Sequence, residues 1–282
     1  MSRHSEEINS GKRFSFGKNW QNFIKEINEK NISEAEKSLK VMLNLETLSG
    51  KSFLDAGSGS GLFSLAARRL GAKVHSFDYD PHSVACTNEL KCRYFPGDDK
   101  WRIEEASVLD VNYLLNLGEF DVVYSWGVLH HTGAMWRALE NIEPLVKING
   151  KLFIAIYNDQ GSWSRRWRIL KIIYNRLPGP FKPVYAGLIM APREMKFFML
   201  HMLKGRPHTY INNIINYSQT SFRGMSMWHD LVDWIGGYPF EVAKPEAIFS
   251  FYHGKGFELE RLKTNAGSLG CNEYVFSKRG IR

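Results

Sequence analysis

Ser52-Phe53-Leu54-Asp55-Ala56-Gly57-Ser58-Gly59-Ser60-Gly61 runs from a short apolar stretch into a loop whose side chains almost vanish. The apolar start reads as a buried strand, and beyond the loop Leu62, Leu65, Ala66 and Leu70 recur at helical spacing. A plain turn from strand to helix needs one glycine. Three at alternate positions point to a ligand lying close against the main chain, with the N–H groups of the helix start turned toward it.

Strand and helix go on alternating downstream of this stretch. Gly71 is a fitting helix stop, and residues 73–77 form a second strand. Asp80 and Pro81 supply an N-cap and a first helical residue for a helix to about residue 91. Strands are predicted at 101–106 and 121–125, a helix at 135–147, and a fifth strand at 152–157 after the Asn149-Gly150 turn. Upstream, Ser33 with Glu36 three residues on reads as the cap of a helix carrying Ala35, Leu39, Met42 and Leu43. After Pro245 come a helix and two strands, 257–262 and 273–277, predicted to form an antiparallel pair at the sheet edge. The fold class is therefore α/β, a doubly wound and mostly parallel sheet with helices on both faces. Such sheets bind ligands beyond their strand carboxyl ends. The unusual residues collect there: the glycine loop, Asp78, Ser107 with Asp110, Ser125-Trp126-Gly127, His130-His131 and Tyr157-Asn158.

The chain of 282 residues has a formal net charge of +8, but the charge is concentrated. Between residues 160 and 210 lie ten basic residues and one acidic residue, Glu194, so the remainder is close to neutral. This basic, aromatic segment breaks the alternation and reads as a helical insertion over the ligand edge. The expected organisation is an N-terminal aromatic and basic segment with a helix over 1–44, a core over 45–159, the insertion or lid over 160–236, and completion of the sheet over 237–282. As a lid, the insertion would turn Trp163, Trp167, Phe197 and Phe198 toward the acceptor pocket and its arginines to water. As a membrane-surface element it would rest on anionic lipid. A nucleic-acid surface is disfavoured, because no recognised RNA-binding module accompanies it. Three cysteines without CxxC spacing, and no secretory or membrane-spanning run, are expected of a cytoplasmic protein. Nine histidines without a ligand spacing predict no metal site.

The glycine loop reads G-x-G-x-G, with Leu62 where a dinucleotide-binding loop has glycine or alanine. Asp55 just before it would repel a pyrophosphate and suit a cation. Asp78, at the end of the second strand, would accept ribose hydroxyls. These residues, with Val74 to Asp78, Ala106 to Asp110 and Phe120 to His131, resemble the core of a class I S-adenosylmethionine-dependent methyltransferase. The resemblance covers residues 45–157, is nearest to quinol-type small-molecule enzymes, and implies a Rossmann-like fold with S-adenosylmethionine as cofactor and S-adenosylhomocysteine as product. It also implies that Gly57, Ser58 and Gly59 lie against the cofactor, with Asp55 near its amino end and Asp78 on the ribose. Tyr79 and Val108 would flank adenine, Ser107 or Asp110 would meet its edge, and Ser125 with Trp126 would serve the methionine end. Ser107 departs from the Asp of many relatives.

Methyl transfer to oxygen can use a general base, for which His130, His131 and His229 are candidates. Asp230 could orient His229. Phe16, Trp20, Tyr157, Asn158 and Trp228 are candidates for contact with a small-molecule acceptor, since exposed N-terminal aromatics need something to cover. Thiol or nitrogen acceptors, RNA base methylation and a non-catalytic cofactor-binding scaffold are the alternatives.

Overall fold

A computed structural model describes residues 3–217, 227–266, 268 and 270–280. The strands predicted from short apolar runs form one sheet: β1 (Ser52–Ala56), β2 (Lys73–Asp78), β3 (Trp101–Glu105), β4 (Phe120–Trp126), β5 (Val146–Tyr157), β6 (Phe257–Lys263) and β7 (Cys271–Lys278). Their order is β3-β2-β1-β4-β5-β7-β6, parallel except for β7, which runs antiparallel to both neighbours. β1 is an interior strand, paired to β2 and β4, with helices over both faces, so its side chains are largely apolar on both.

Period-two alternation divides the core. Phe53, Val122, Phe153 and Val275 pack on one face with α3 (Glu29–Leu43), α4 (Leu62–Arg69) and α5 (Pro81–Tyr94). Leu54, Val123, Ile154 and Tyr274 pack on the other, with α6 (Val111–Leu115) and α7 (Met135–Ile142). Each such side chain, fully buried, contributes about 1.5–3 kcal/mol. Asp80 caps α5 by accepting from His82 N–H at 2.9 Å, with Pro81 in its first turn, as predicted.

Two local readings are corrected. The cap of α3 is Asn28, not Ser33: its Oδ1 accepts from Lys30 and Asn31 N–H, and Asn31 Oδ1 accepts from Asn28 N–H, a reciprocal box that begins the helix earlier. The helix at 135 stops at Ile142, because Pro144 draws the chain into a short 3-10 turn. Asn149-Gly150 then lies inside β5 as a bulge, with Asn149 at φ 63°, where the register against β4 slips.

Two short helices precede the sheet, α1 (Arg3–Asn9) and α2 (Phe16–Phe23). The insertion supplies α8 (Ser162–Arg176), α9 (Lys182–Leu203), α10 (Pro207–Ile215) and α11 (Met227–Gly236), and α12 (Pro245–His253) leads into β6. Tyr174, Ala186, Met190 and Ile235 give the insertion a small core of its own, against which Phe14 packs. Among the described residues, no helix is long and apolar enough to cross a membrane.

Candidate active site

The carboxyl ends of β1, β2, β3 and β4 open into one cavity of about 1160 Å³. Gly57, Gly59 and Gly61 have φ of 92°, 55° and 82°, a left-handed path that turns the chain from β1 into α4. The loop's amides are spent on the protein. Gly57 and Ser58 N–H donate to the Phe77 carbonyl, Gly59 N–H to Asp78 Oδ2 at 2.9 Å, and Gly61 N–H to the Ser58 carbonyl. These four amides therefore offer no nest for a pyrophosphate, in line with the reading from Asp55.

Asp55 is 1 % exposed at the cavity floor. A buried chain of donors leads to its Oδ2: Trp101 Nε1 to Ser76, Ser76 to Ser64, and Ser64 Oγ to Asp55 at 2.5 Å. Its Oδ1 is buried and has no hydrogen-bond partner. Burial pushes the carboxyl up to about 7, against the Ser64 hydrogen bond, and the neighbouring Asp78 carboxylate adds to the rise. An orphaned buried acceptor in a cavity calls for a donor, and a cationic one above all. Asp78 is pushed to about 6 by burial; Asp80 and Gly59 N–H hold it down. Each Asp78 oxygen accepts one backbone N–H, from Asp80 on Oδ1 and Gly59 on Oδ2, and each retains a lone pair for a hydroxyl. An ammonium at Asp55, a diol at Asp78, and glycines where side chains would intrude fit S-adenosylmethionine.

The N-terminal segment forms the roof. Gly17 N–H donates to Asp80 Oδ2 at 2.8 Å, Phe14 N–H to the Tyr238 carbonyl at 2.8 Å, and Asn19 Nδ2 to Asp233 Oδ1. Trp20 lies over the glycine loop: a Cβ added at Gly59 would meet its Nε1 at 3.3 Å. Phe14, Phe16 and Trp20 line the cavity from above, and Leu231 and Trp234 of α11 from the side.

Tyr79, Ser107, Val108, Trp126, His131 and Tyr157 all face this space, as do Gly57, Ser58 and Gly59. Other candidates lie elsewhere. Asp110 caps α6 by accepting from Tyr113 N–H, and Ser125 Oγ is buried against the Ala56 carbonyl. Asn158 is tied to Asn272 and to the Ser268 carbonyl. Trp228 is 45 % exposed and outside the cavity lining. His229 is on α11, but its side chain, like that of Asp230, lies outside the described residues. The insertion also differs from the expected lid: Trp163, Phe197 and Phe198 are exposed, and α9 gives the cavity Arg193 and Glu194 instead.

The two adjacent histidines adopt opposite tautomers. His130 is fully buried outside the cavity lining, and its Nδ1 accepts from Tyr157 N–H at 3.3 Å, which places the hydrogen on Nε2. His131 Nδ1 lies 2.6 Å from the Pro239 carbonyl; a carbonyl only accepts, so Nδ1 carries a hydrogen, and in the uncharged ring the lone pair is on Nε2. The His131 ring sits 4.8 Å from Phe16 and 5.3 Å from Tyr157, centre to centre. Arg13 reaches down from the roof to the His131 carbonyl. Sequence alone did not mark Asp233, Trp234, Leu231 or Arg13 as part of this wall.

A family model described as a methyltransferase domain matches residues 27–180. The ubiquinone biosynthesis O-methyltransferase of Coxiella burnetii is 29% identical over 126 residues, 43% of this chain and 49% of that protein. The tRNA U34 carboxymethyltransferase of Aeromonas hydrophila is 29% identical over 115 residues, 41% of this chain and 34% of that one. The matched stretch thus spans half or less of the length of these curated relatives. Among solved structures, magnesium protoporphyrin IX methyltransferase from Synechocystis PCC 6803 with bound SAH shares the fold, with a TM-score of 0.54, 14% identity and 93% of each chain covered. Sheet order, cofactor fit and family match agree: the chain belongs to the methyltransferase domain family, as a class I, S-adenosylmethionine-dependent member.

Proposed function

We propose that the protein methylates the oxygen of a small hydroxyl compound with an apolar body, held under the N-terminal roof. The observation that carries this reading is His131, a cavity-lining imidazole locked by Pro239 with its basic nitrogen at Nε2. Pockets for one small ligand run to about 1,000 Å³, so a cavity of about 1160 Å³ has room for a cofactor and a small acceptor together. S-adenosylmethionine, when bound, supplies an electrophilic methyl carbon on a sulfonium.

In this reading Asp55 holds the ammonium, Asp78 the ribose diol, Gly57, Ser58 and Gly59 the cofactor's flank, and Tyr79, Val108 and Ser107 the adenine. Phe16 and Tyr157 sandwich the acceptor's apolar body. His131 Nε2 takes the hydroxyl proton, and the Pro239 carbonyl stabilises the imidazolium that results. Phe14, Phe16 and Trp20 keep water away from the reacting groups. The three cysteines form no disulfide, which suits a cytoplasmic setting.

The test is turnover across a panel of phenols, catechols, thiols, amines and unmodified tRNA, with His131→Asn beside the intact protein. Hydroxyl acceptors should turn over, and the variant should lose about 100-fold in kcat at unchanged affinity for S-adenosylhomocysteine. Turnover confined to tRNA, thiols or amines, or full activity of His131→Asn on hydroxyl compounds, would overturn the reading.

A further inference from the structure

The apolar residues of α9 point the wrong way for a lid. Val184, Leu188, Met195, Met199 and Met202 are each more than half exposed. At 3.6 residues per turn they fall within about 60° of one another, in a stripe about 27 Å long. Ala186 and Met190, the helix's buried residues, lie on the opposite side, so the stripe faces directly away from the protein body. Leu203 beside its end is 83% exposed, and α10 adds Ile211 and Ile215, each at least half exposed. Patches of this extent mark interaction surfaces.

Charge narrows the occupant. Lys196 on α9 and Lys204 and Arg206 at its end are exposed beside the stripe, Arg165, Arg166 and Arg168 are exposed on α8, and Glu194 is the one acid between residues 160 and 210. A second copy of the chain would bring two strongly positive segments together. Nucleic acid would meet the cations but find methionine, leucine and isoleucine where stacking planes are needed. A bilayer carrying anionic headgroups satisfies both features: acyl chains accept the stripe and phosphates accept the flanking cations. Trp163, 58% exposed under the Arg166 guanidinium at 4.8 Å, adds an interfacial aromatic.

We infer that the α8–α10 surface docks the protein peripherally on an anionic membrane, with the outward stripe of α9 in the headgroup layer. The same helix gives Arg193 and Glu194 to the cavity wall, so docking sets the cavity beside the lipid. Docking stands independently of which atom is methylated; only delivery of a lipophilic acceptor rests on the proposed function.

The experiment is flotation of the full chain with vesicles of phosphatidylcholine alone or with about one-third phosphatidylglycerol, at low and high salt. The intact protein should float with the anionic vesicles at least tenfold more than with neutral ones, and less at high salt. Met195→Glu with Met199→Glu should abolish flotation while thermal unfolding and S-adenosylhomocysteine binding stay unchanged. Arg165→Glu with Arg168→Glu, a second and chemically different variant, should weaken it severalfold. Three outcomes would overturn the inference: no flotation, flotation indifferent to both variants, or a dimer in sedimentation velocity that Met195→Glu dissociates.

Discussion

Lowering the pH from about 8 to about 6 should weaken the binding of S-adenosylhomocysteine about tenfold, and Asp55 should account for most of the loss. Its carboxyl is pushed up to about 7 by burial, against a hydrogen bond from Ser64 and with added repulsion from Asp78. If the ammonium binds the ionised form, roughly nine-tenths of the protein is competent at pH 8 and roughly one-tenth at pH 6. Titration calorimetry in two buffers of different ionisation heat should show nearly one proton released on binding at the lower pH, and little at the higher. Asp78, pushed only to about 6, adds at most about a further twofold at the lower edge of that window and acts mainly below it. Asp55→Asn should therefore bind more weakly at pH 8 and lose most of the slope. The ligand-free protein should show the opposite trend in stability. A carboxyl raised from 3.8 to about 7 in the folded state costs stability progressively as pH rises between those values. Affinity that is flat between pH 6 and 8, or a slope kept whole in Asp55→Asn, would refute the pairing of Asp55 with a cation.

Gly59→Ala forces a side chain into a left-handed position and against Trp20 Nε1, at a cost of about 1–2 kcal/mol; thermal melting should fall by a few degrees, and an unchanged midpoint would contradict the packing. Trp20→Ala opens the roof, so S-adenosylhomocysteine affinity should drop at least tenfold while hydrogen exchange rises in the 57–61 loop; exchange there that does not change counts against the contact. Lys171 is fully buried between the Trp234 and Phe240 rings, and burial lowers its amine to about 7 against the pull of Asp233. Its folded-state cost is relieved as pH rises from about 7 toward its unfolded value of 10.5, so urea stability should climb over that range and Lys171→Met should flatten the climb.

The sheet was legible because its signals are local. Short apolar runs mark strands buried on both faces, and Asp80-Pro81 opens α5 as read. Local signals also misled where two competed: Asn28 took the cap that Ser33 offered, and Asn149-Gly150 became a bulge because β5 begins before it. The site was legible in its residues but not in their roles. Nothing near Gly57 says that its amide is spent on the Phe77 carbonyl. His130 and His131 are indistinguishable in sequence; Tyr157 and Pro239, distant along the chain, give them opposite tautomers and different surroundings. The insertion's composition announced aromatics and cations, but which face of α9 is buried depends on α8 and α11.

The roof at residues 14–20 is fastened on two sides of the cavity, to Asp80 near the glycine loop and to Tyr238 and Asp233 across from it. One segment therefore covers both parts of the space. If cofactor and acceptor sit as in the proposed function, release of either past this segment would disturb the contacts around the other, which would couple the two exchanges. In that case the hydrogen bonds at Gly17 and Asn19, remote from the reacting atoms, would bear on how fast products leave.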